Sequence, residues 1–257
     1  MKSVMLYALL AAVSQAAMPD PVASLVERHD KRVAELTAEF EKLPAAPDDV
    51  EWVKKKLEHM AAIDQVARLL SSGPEMSSLT AEQRDAANAE LGARMTRIDA
   101  ANLADLKKLL AIHGWFNRSR FGDAADLQAW LIVQHADGDS AFQADILARL
   151  EPLATRGESN PRFFAYLFDR VAVNTNASGK RGLQRYGTQG QCTGPGTWAP
   201  HPSEDPDSLD ARRARMGLEP LAEYVKLFKD MCVESTEAAL ARARDAATKP
   251  PTAAPAK

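Results

Sequence analysis

The chain has 257 residues, a net charge of -3 at pH 7 and 26% charged residues, so it lacks the basic excess of a nucleic-acid surface. Its 46% hydrophobic residues suffice for one large core or two small ones, and its 2 cysteines exclude a disulfide-dense scaffold. Alanine is abundant and β-branched runs are scarce, which favours helix.

Residues 1–16 read as a secretory signal. Lys2 supplies the positive start, Ser3 to Val13 the apolar core, and Ser14-Gln15-Ala16 the small residues of a cleavage site. That apolar run is too short to span roughly 30 Å of hydrocarbon, and no later stretch replaces it as a transmembrane segment. The expected location is the periplasm or the cell exterior.

Residues 17–47 read as an amphipathic helix and linker. Val22, Val26, His29, Val33, Leu36, Phe40 and Leu43 follow alternating four- and three-residue steps, a heptad seam. So short a seam suits a helix docked on its own domain; the alternative is self-association through residues 22–43. Pro44 to Pro47 break the pattern, and the main helical domain is expected over 48–233. Asp48 with Glu51 predicts a capping box and a helix from Asp49 to about Leu70. Ser71 to Ser78 reads as a loop around Gly73-Pro74. Thr80 with Gln83 predicts a second capping box and a long helix to about Ile112, which Gly114 can stop in the left-handed conformation.

Further on, Asp123 predicts a cap and a helix ending near Ala136. Ser140 with Gln143 opens another helix, to about Arg156. Asn160-Pro161 is a cap followed by a first-turn proline, and its helix runs to about Val173. Asp207 or Ser208 starts a short helix stopped by Gly217, and Pro220 begins a last one to about Ala246. The Pro/Ala-rich end of 234–257 reads as a flexible tail. No alternating run long enough for a useful strand is present. The fold class is therefore all-α, a multi-helix bundle or orthogonal array with a long ordered irregular loop near the C-terminal third.

That loop, Gly182 to Asp210, has no apolar period. A segment of this length without structure of its own is either functional or disordered; Tyr186 and Trp198, which a free loop would leave wet, point to order. Cys192 lies in it and Cys232 in the last helix. An exported chain with an even cysteine count permits a disulfide between them, with a reactive thiol or two inert thiols as the alternatives.

Polar residues interrupt helical faces that otherwise look buried. Asp64 and Arg68 stand one turn apart and can pair; Asp99 and Asn102 lie on the next long helix. Gln134 and His135 follow an apolar run at a helix end, and Asp169 and Arg170 close a third helix.

The run GWFNRSRFG, AWLIVQHADGDSAFQ, LFDRV, QRYGTQ and PSEDPDSLDARRARMGLEPLAEY, with the upstream IDQVAR and IDAANLADLKKLLAIHGW, resembles the bacterial family catalogued as domain of unknown function 6624. The likeness spans about Leu57 to Tyr224. It implies no activity. It implies instead a recurring set of polar stations: Asp64, Gln65, Arg68, Asp99, Asn102, Arg118, Gln134, His135, Asp137, Gln143, Asp169, Arg170, Gln184, Tyr186, Thr188, Gln189, Glu204, Asp205, Arg212 and Arg213. Cys192 and the Gly194-Pro195-Gly196 turn depart from its pattern.

Several chemistries lack their residues. The histidines are scattered and no HExxH or paired CxxC occurs, so no metal is expected. The Gly-rich GTQGQCTGPG lacks the order of a phosphate loop, and GxSxG is absent. No cofactor is expected. The leading reading places His135 as a general acid/base with Asp64 and Asp169 as catalytic carboxylates. Around them Gln65, Arg68, Asn102, Arg118, Gln134, Arg170, Tyr186, Thr188 and Gln189 bind an unknown small molecule or peptide in one cleft beneath the loop. Its reaction would be a hydrolase or transferase step. The rival is a binding or structural module of the envelope in which the same groups form an internal network.

Overall fold

The computed structural model describes residues 20–174, 181–228 and 232. The expected signal (1–16) and the expected helix end and tail (234–257) lie outside the described residues. Helix α1 (Pro21–Phe40) starts where the Asp20 side chain accepts from the Val22 N–H at 3.0 Å, with Pro21 in the first turn. Of its seam, Val22, Val26, Val33, Leu36 and Phe40 are half-buried and Leu43, past the helix end, is exposed. Leu25 and His29 are buried, Phe40 stacks on His59 with ring centres 4.8 Å apart, and the helix packs along α2 (Val50–Ser71) and α4 (Ala81–His113).

Local caps decide where the helices begin. Asp49, not Asp48, caps α2 by accepting from the Trp52 N–H at 2.8 Å, while Glu51 pairs with Lys54. The loop expected after α2 contains a helical turn, α3 (Pro74–Ser78): Pro74 pre-sets the first helical φ, and Met76 packs with Leu25, Leu79 and Ala87. Thr80 and Gln83 close the reciprocal capping box of α4 at 3.2 and 3.0 Å. Gly114 ends α4 with φ 70° but ψ -131°, a positive φ outside the left-handed helical region.

A single turn, α5 (Arg118–Phe121), leads into α6 (Asp123–Gln134), whose N-cap is Gly122 rather than Asp123 and whose C-cap is His135. Asp139, not Ser140, caps α7 (Ser140–Thr155) by accepting from the Phe142 N–H at 3.0 Å. Asn160 caps α8 (Pro161–Val173), with Pro161 in its first turn.

The core lies between α2, α4, α6 and the α7–α8 pair. Val53, Leu57 and Met60 on α2, and Ile146, Leu150 and Leu153 on α7, recur at steps of four and three, one face of a 3.6-residue helix. Each fully buried side chain of this kind stabilises the fold by roughly 1.5–3 kcal/mol. The fold is predominantly helical, as the composition and periodicity indicate.

The irregular loop holds the only strands among the described residues, β1 (Gly190–Gly194) and β2 (Thr197–Pro200), an antiparallel hairpin that was not foreseen. Gly190 is required there, because a Cβ would stand 2.3 Å from both the Ala199 carbonyl oxygen and the Trp198 ring. A 3-10 turn (Pro206–Ser208), α9 (Leu209–Arg215) and α10 (Leu221–Lys226) follow. The last helix, expected to run to about Ala246, ends at Lys226: Leu227 is its C-cap, Leu227 and Phe228 form a turn, Cys232 is not helical, and 229–231 and 233–246 lie outside the described residues. Cys192 and Cys232 form a disulfide, 40 residues apart in sequence, which ties the hairpin to a cluster of Trp198, Tyr224 and Cys232. Closing such a loop contributes about 4 kcal/mol in the chain-entropy model.

Candidate functional site

Asp64 of α2 is the centre of the first polar cluster. It is 2% exposed, so its charge needs partners. Arg68, one turn later, donates to Asp64 Oδ1 at 3.0 Å and to the Asp64 carbonyl at 2.8 Å. Gln65 donates to Asp64 Oδ2 at 2.6 Å. His135, the C-cap of α6, places Nδ1 2.9 Å from Asp64 Oδ1. A carboxylate oxygen accepts, so Nδ1 is the donor and, in the neutral ring, Nε2 holds the lone pair. Nε2 has no hydrogen-bond partner among the described residues, and the ring lines an open cleft of about 520 Å³.

Asp99 of α4 completes this wall. Arg68 reaches across to it with contacts of 2.8 and 3.0 Å, so two carboxylates share one guanidinium. Burial pushes the Asp99 carboxyl above its ordinary value; Arg68 opposes this and the charge of Asp64 adds to it. The register that brings Asp99 beside Arg68 is set by Asn102, which is buried and donates to the Met60 carbonyl at 3.0 Å, pinning α4 to α2.

The turn between α6 and α7 and the end of α8 form the opposite wall. Arg170 donates from Nε to Asp137 Oδ1 at 2.8 Å. Against desolvation, that guanidinium holds the Asp137 carboxyl below its usual range, helped by Gln143 and Asn174. Gln143, fully buried, ties the turn to the Val133 carbonyl at 3.0 Å. Lys107 reaches Asp139 at 2.6 Å on the rim, and Ala100, Leu103 and Ala136 supply apolar lining.

The residues expected to share one cleft divide into two clusters. Asp169, adjacent to Arg170, faces away from the cleft and is fully buried. Its oxygens accept from the backbone N–H groups of Arg185 (2.7 Å), Tyr186 (3.0 Å) and Thr188 (2.8 Å), and from the Thr188 hydroxyl (2.9 Å). Burial raises its pKa and those donors oppose the rise. Gly187, at φ 68°, makes the turn around the carboxylate possible. Tyr186 is buried edge-on against Phe164 and Phe168, and Gln189 donates to the Thr188 hydroxyl oxygen at 3.2 Å. Arg213, buried, donates to the Tyr186 carbonyl at 2.6 Å and lies over the Tyr224 ring. Asp169, Tyr186, Thr188 and Gln189 therefore anchor the loop and do not line the cleft. The cleft lies between helices and not beneath the 182–210 loop, a correction that follows from the direction of one side chain.

The remaining expected binding residues also have partners elsewhere. Arg118 pairs with Asp123 and its backbone N–H donates to the Glu158 carbonyl, joining α5 to the α7–α8 connection. Gln134 is buried, with its amide oxygen positioned to accept from Trp130 Nε1 at 3.2 Å. Asp99 and Asp137 appear in the quoted motifs but were not foreseen as walls of the site. The signal that would have placed them is non-local, the meeting of α4 with α2 and of α8 with the α6–α7 turn.

Asp64, Asp99 and His135 bring three ligand-type atoms within 4.8 Å of one another, an oxygen/nitrogen set that could hold a metal. Arg68 already bridges its two carboxylates. The comparisons with known proteins add family membership and no chemistry. No curated protein and no solved structure matches the chain. The family described as a family of unknown function (DUF6624) matches residues 54–234, a span that includes both polar clusters, and the chain belongs to that family.

Proposed function

We propose that this chain is an exported hydrolase or transferase for a small polar molecule or peptide, with His135 as general acid/base and Asp64 as the carboxylate that orients it. The observation that carries this reading is the 2.9 Å contact from His135 Nδ1 to the buried Asp64, with Nε2 left at the wall of an open cleft. That arrangement fixes the ring tautomer and presents a proton acceptor to whatever enters. Export is supported by the signal-like first 16 residues and by the disulfide, which persists in an oxidising compartment. No helix of the described residues is long and apolar enough to cross a membrane.

The test is a panel of chromogenic esters, amides, phosphates and glycosides offered to wild type and to His135→Gln. Turnover of one class by wild type, reduced by about 10²–10⁴-fold in the variant at an unchanged melting temperature, is the expected result. A second reading, a structural module, is favoured by one observation: Arg68 and Arg170 are both engaged by carboxylates. On that reading the variant melts several degrees lower and no substrate class is turned over by wild type.

A further inference from the structure

The charge count of the cleft points to the kind of ligand it takes. Arg68 is shared by Asp64 and Asp99, Arg170 is paired with Asp137, and Lys107 with Asp139. Counting the Asp, Arg and Lys side chains alone, four carboxylates face three cations, and the shortfall lies where Asp64 and Asp99 divide one guanidinium beside the His135 ring. An arriving anion would find Arg68 spent and a surplus of its own sign. An arriving cation would meet Asp99, which is only half-buried, and Ala100, Leu103 and Ala136 offer an apolar surface for an aliphatic stem.

We propose that the ligand of this cleft carries a cationic nitrogen, a primary ammonium or guanidinium on a short aliphatic stem, held by Asp99 with the stem against Leu103 and Ala136. This rests on the cleft being the working site, and it settles the sign of the ligand that the acid/base reading leaves open. A metal ion is the poorer occupant on geometry. The Asp64, Asp99 and His135 ligand-type atoms lie within 4.8 Å of one another, but the Arg68 guanidinium donates to both carboxylates and His135 Nδ1 contacts Asp64, so an ion would have to displace those donors.

Isothermal titration of the full chain with 1,5-diaminopentane, 1,5-pentanediol, glutarate and manganese chloride tests the proposal. The diamine binds; the diol and the dicarboxylate do not. Asp99→Asn weakens the diamine by about tenfold, whereas Asp145→Asn, on the exposed face of α7 and paired with Arg149, leaves it unchanged. Ala100→Lys supplies an ammonium from an exposed position of α4 without touching the network, and it abolishes diamine binding even if Asp99→Asn proves unstable. Preferential glutarate binding, no diamine binding at millimolar concentration, or diamine binding indifferent to both substitutions overturns the proposal. So does manganese binding that needs Asp99 and is unaffected by the diamine. All of these readouts follow Asp99 and none follows His135, so they fail or succeed apart from the acid/base reading.

Discussion

Two aspartates, Asp64 and Asp169, are both almost wholly removed from solvent, yet their surroundings are opposite in kind. Asp169 is met by three consecutive-turn backbone donors and a hydroxyl, all from one short stretch of loop. Asp64 is met by side chains: a guanidinium, an amide and an imidazole, the last of which continues to an open cleft. A carboxylate satisfied by backbone has one geometry and serves to hold it. A carboxylate satisfied by an imidazole transmits its charge to a group that can exchange protons. Burial alone does not separate a structural acid from a candidate catalytic one; the identity of the donors does.

The sharpest way to break this contrast is Asp169→Ala. It leaves the buried N–H groups of Arg185, Tyr186 and Thr188 without acceptors, and unfolding in urea should show a loss of about 3–5 kcal/mol with early proteolysis near 182–189. A loss below about 1 kcal/mol would mean the loop is held by other contacts, the disulfide first among them. Replacing Cys192 and Cys232 by serine should cost about 2–4 kcal/mol, again by denaturant titration. Arg68→Gln comes next. It leaves Asp64 and Asp99 facing one another without their cation, for an expected loss of about 2–3 kcal/mol at neutral pH, recovered in part by Asp99→Asn in the same chain. His135→Gln, by contrast, should cost less than about 1 kcal/mol, since the ring lines the cleft wall and makes one hydrogen bond. A larger cost would move His135 to the structural side of the comparison.

The smallest effect is a pH dependence remote from both clusters. The Arg94 guanidinium holds the Asp30 carboxyl down to about 2, against its ordinary 3.8. A depressed carboxylate contributes its stability above the unfolded value and loses it as pH falls from 3.8 through about 2. Asp30 is more than half exposed, so the contribution is under about 1 kcal/mol. Asp30→Asn should flatten that part of the acid-unfolding curve and lower stability at pH 7 by the same amount, under about 1 kcal/mol.

What was legible in the sequence was local. The reciprocal Thr80–Gln83 cap and the Asn160-Pro161 start need only a few adjacent residues, and both formed as read. The helix starts that moved did so by one residue, where Asp48 competed with Asp49 and Ser140 with Asp139, while the end expected near Ala136 fell at Gln134 and the expected loop Ser71 to Ser78 held the turn Pro74–Ser78. The disulfide stood open against two alternatives, because spacing says nothing of approach. The grouping of His135 with Tyr186 and Gln189 went astray for a tertiary reason. Asp169 and Arg170 are neighbours in sequence and were read as one station, but which structure each meets depends on how α8 lies between the loop and the α6–α7 turn. The hairpin escaped notice because its strands are short and glycine-rich and lack apolar alternation.

Consecutive residues on α8 have a mechanical consequence. They project about 100° apart around one axis, and each is clamped to a different body: Asp169 to the docked loop, Arg170 to the rim at Asp137. One rigid element thus carries both grips, one on the cystine-tethered loop and the other on the rim of a recess that the loop does not line.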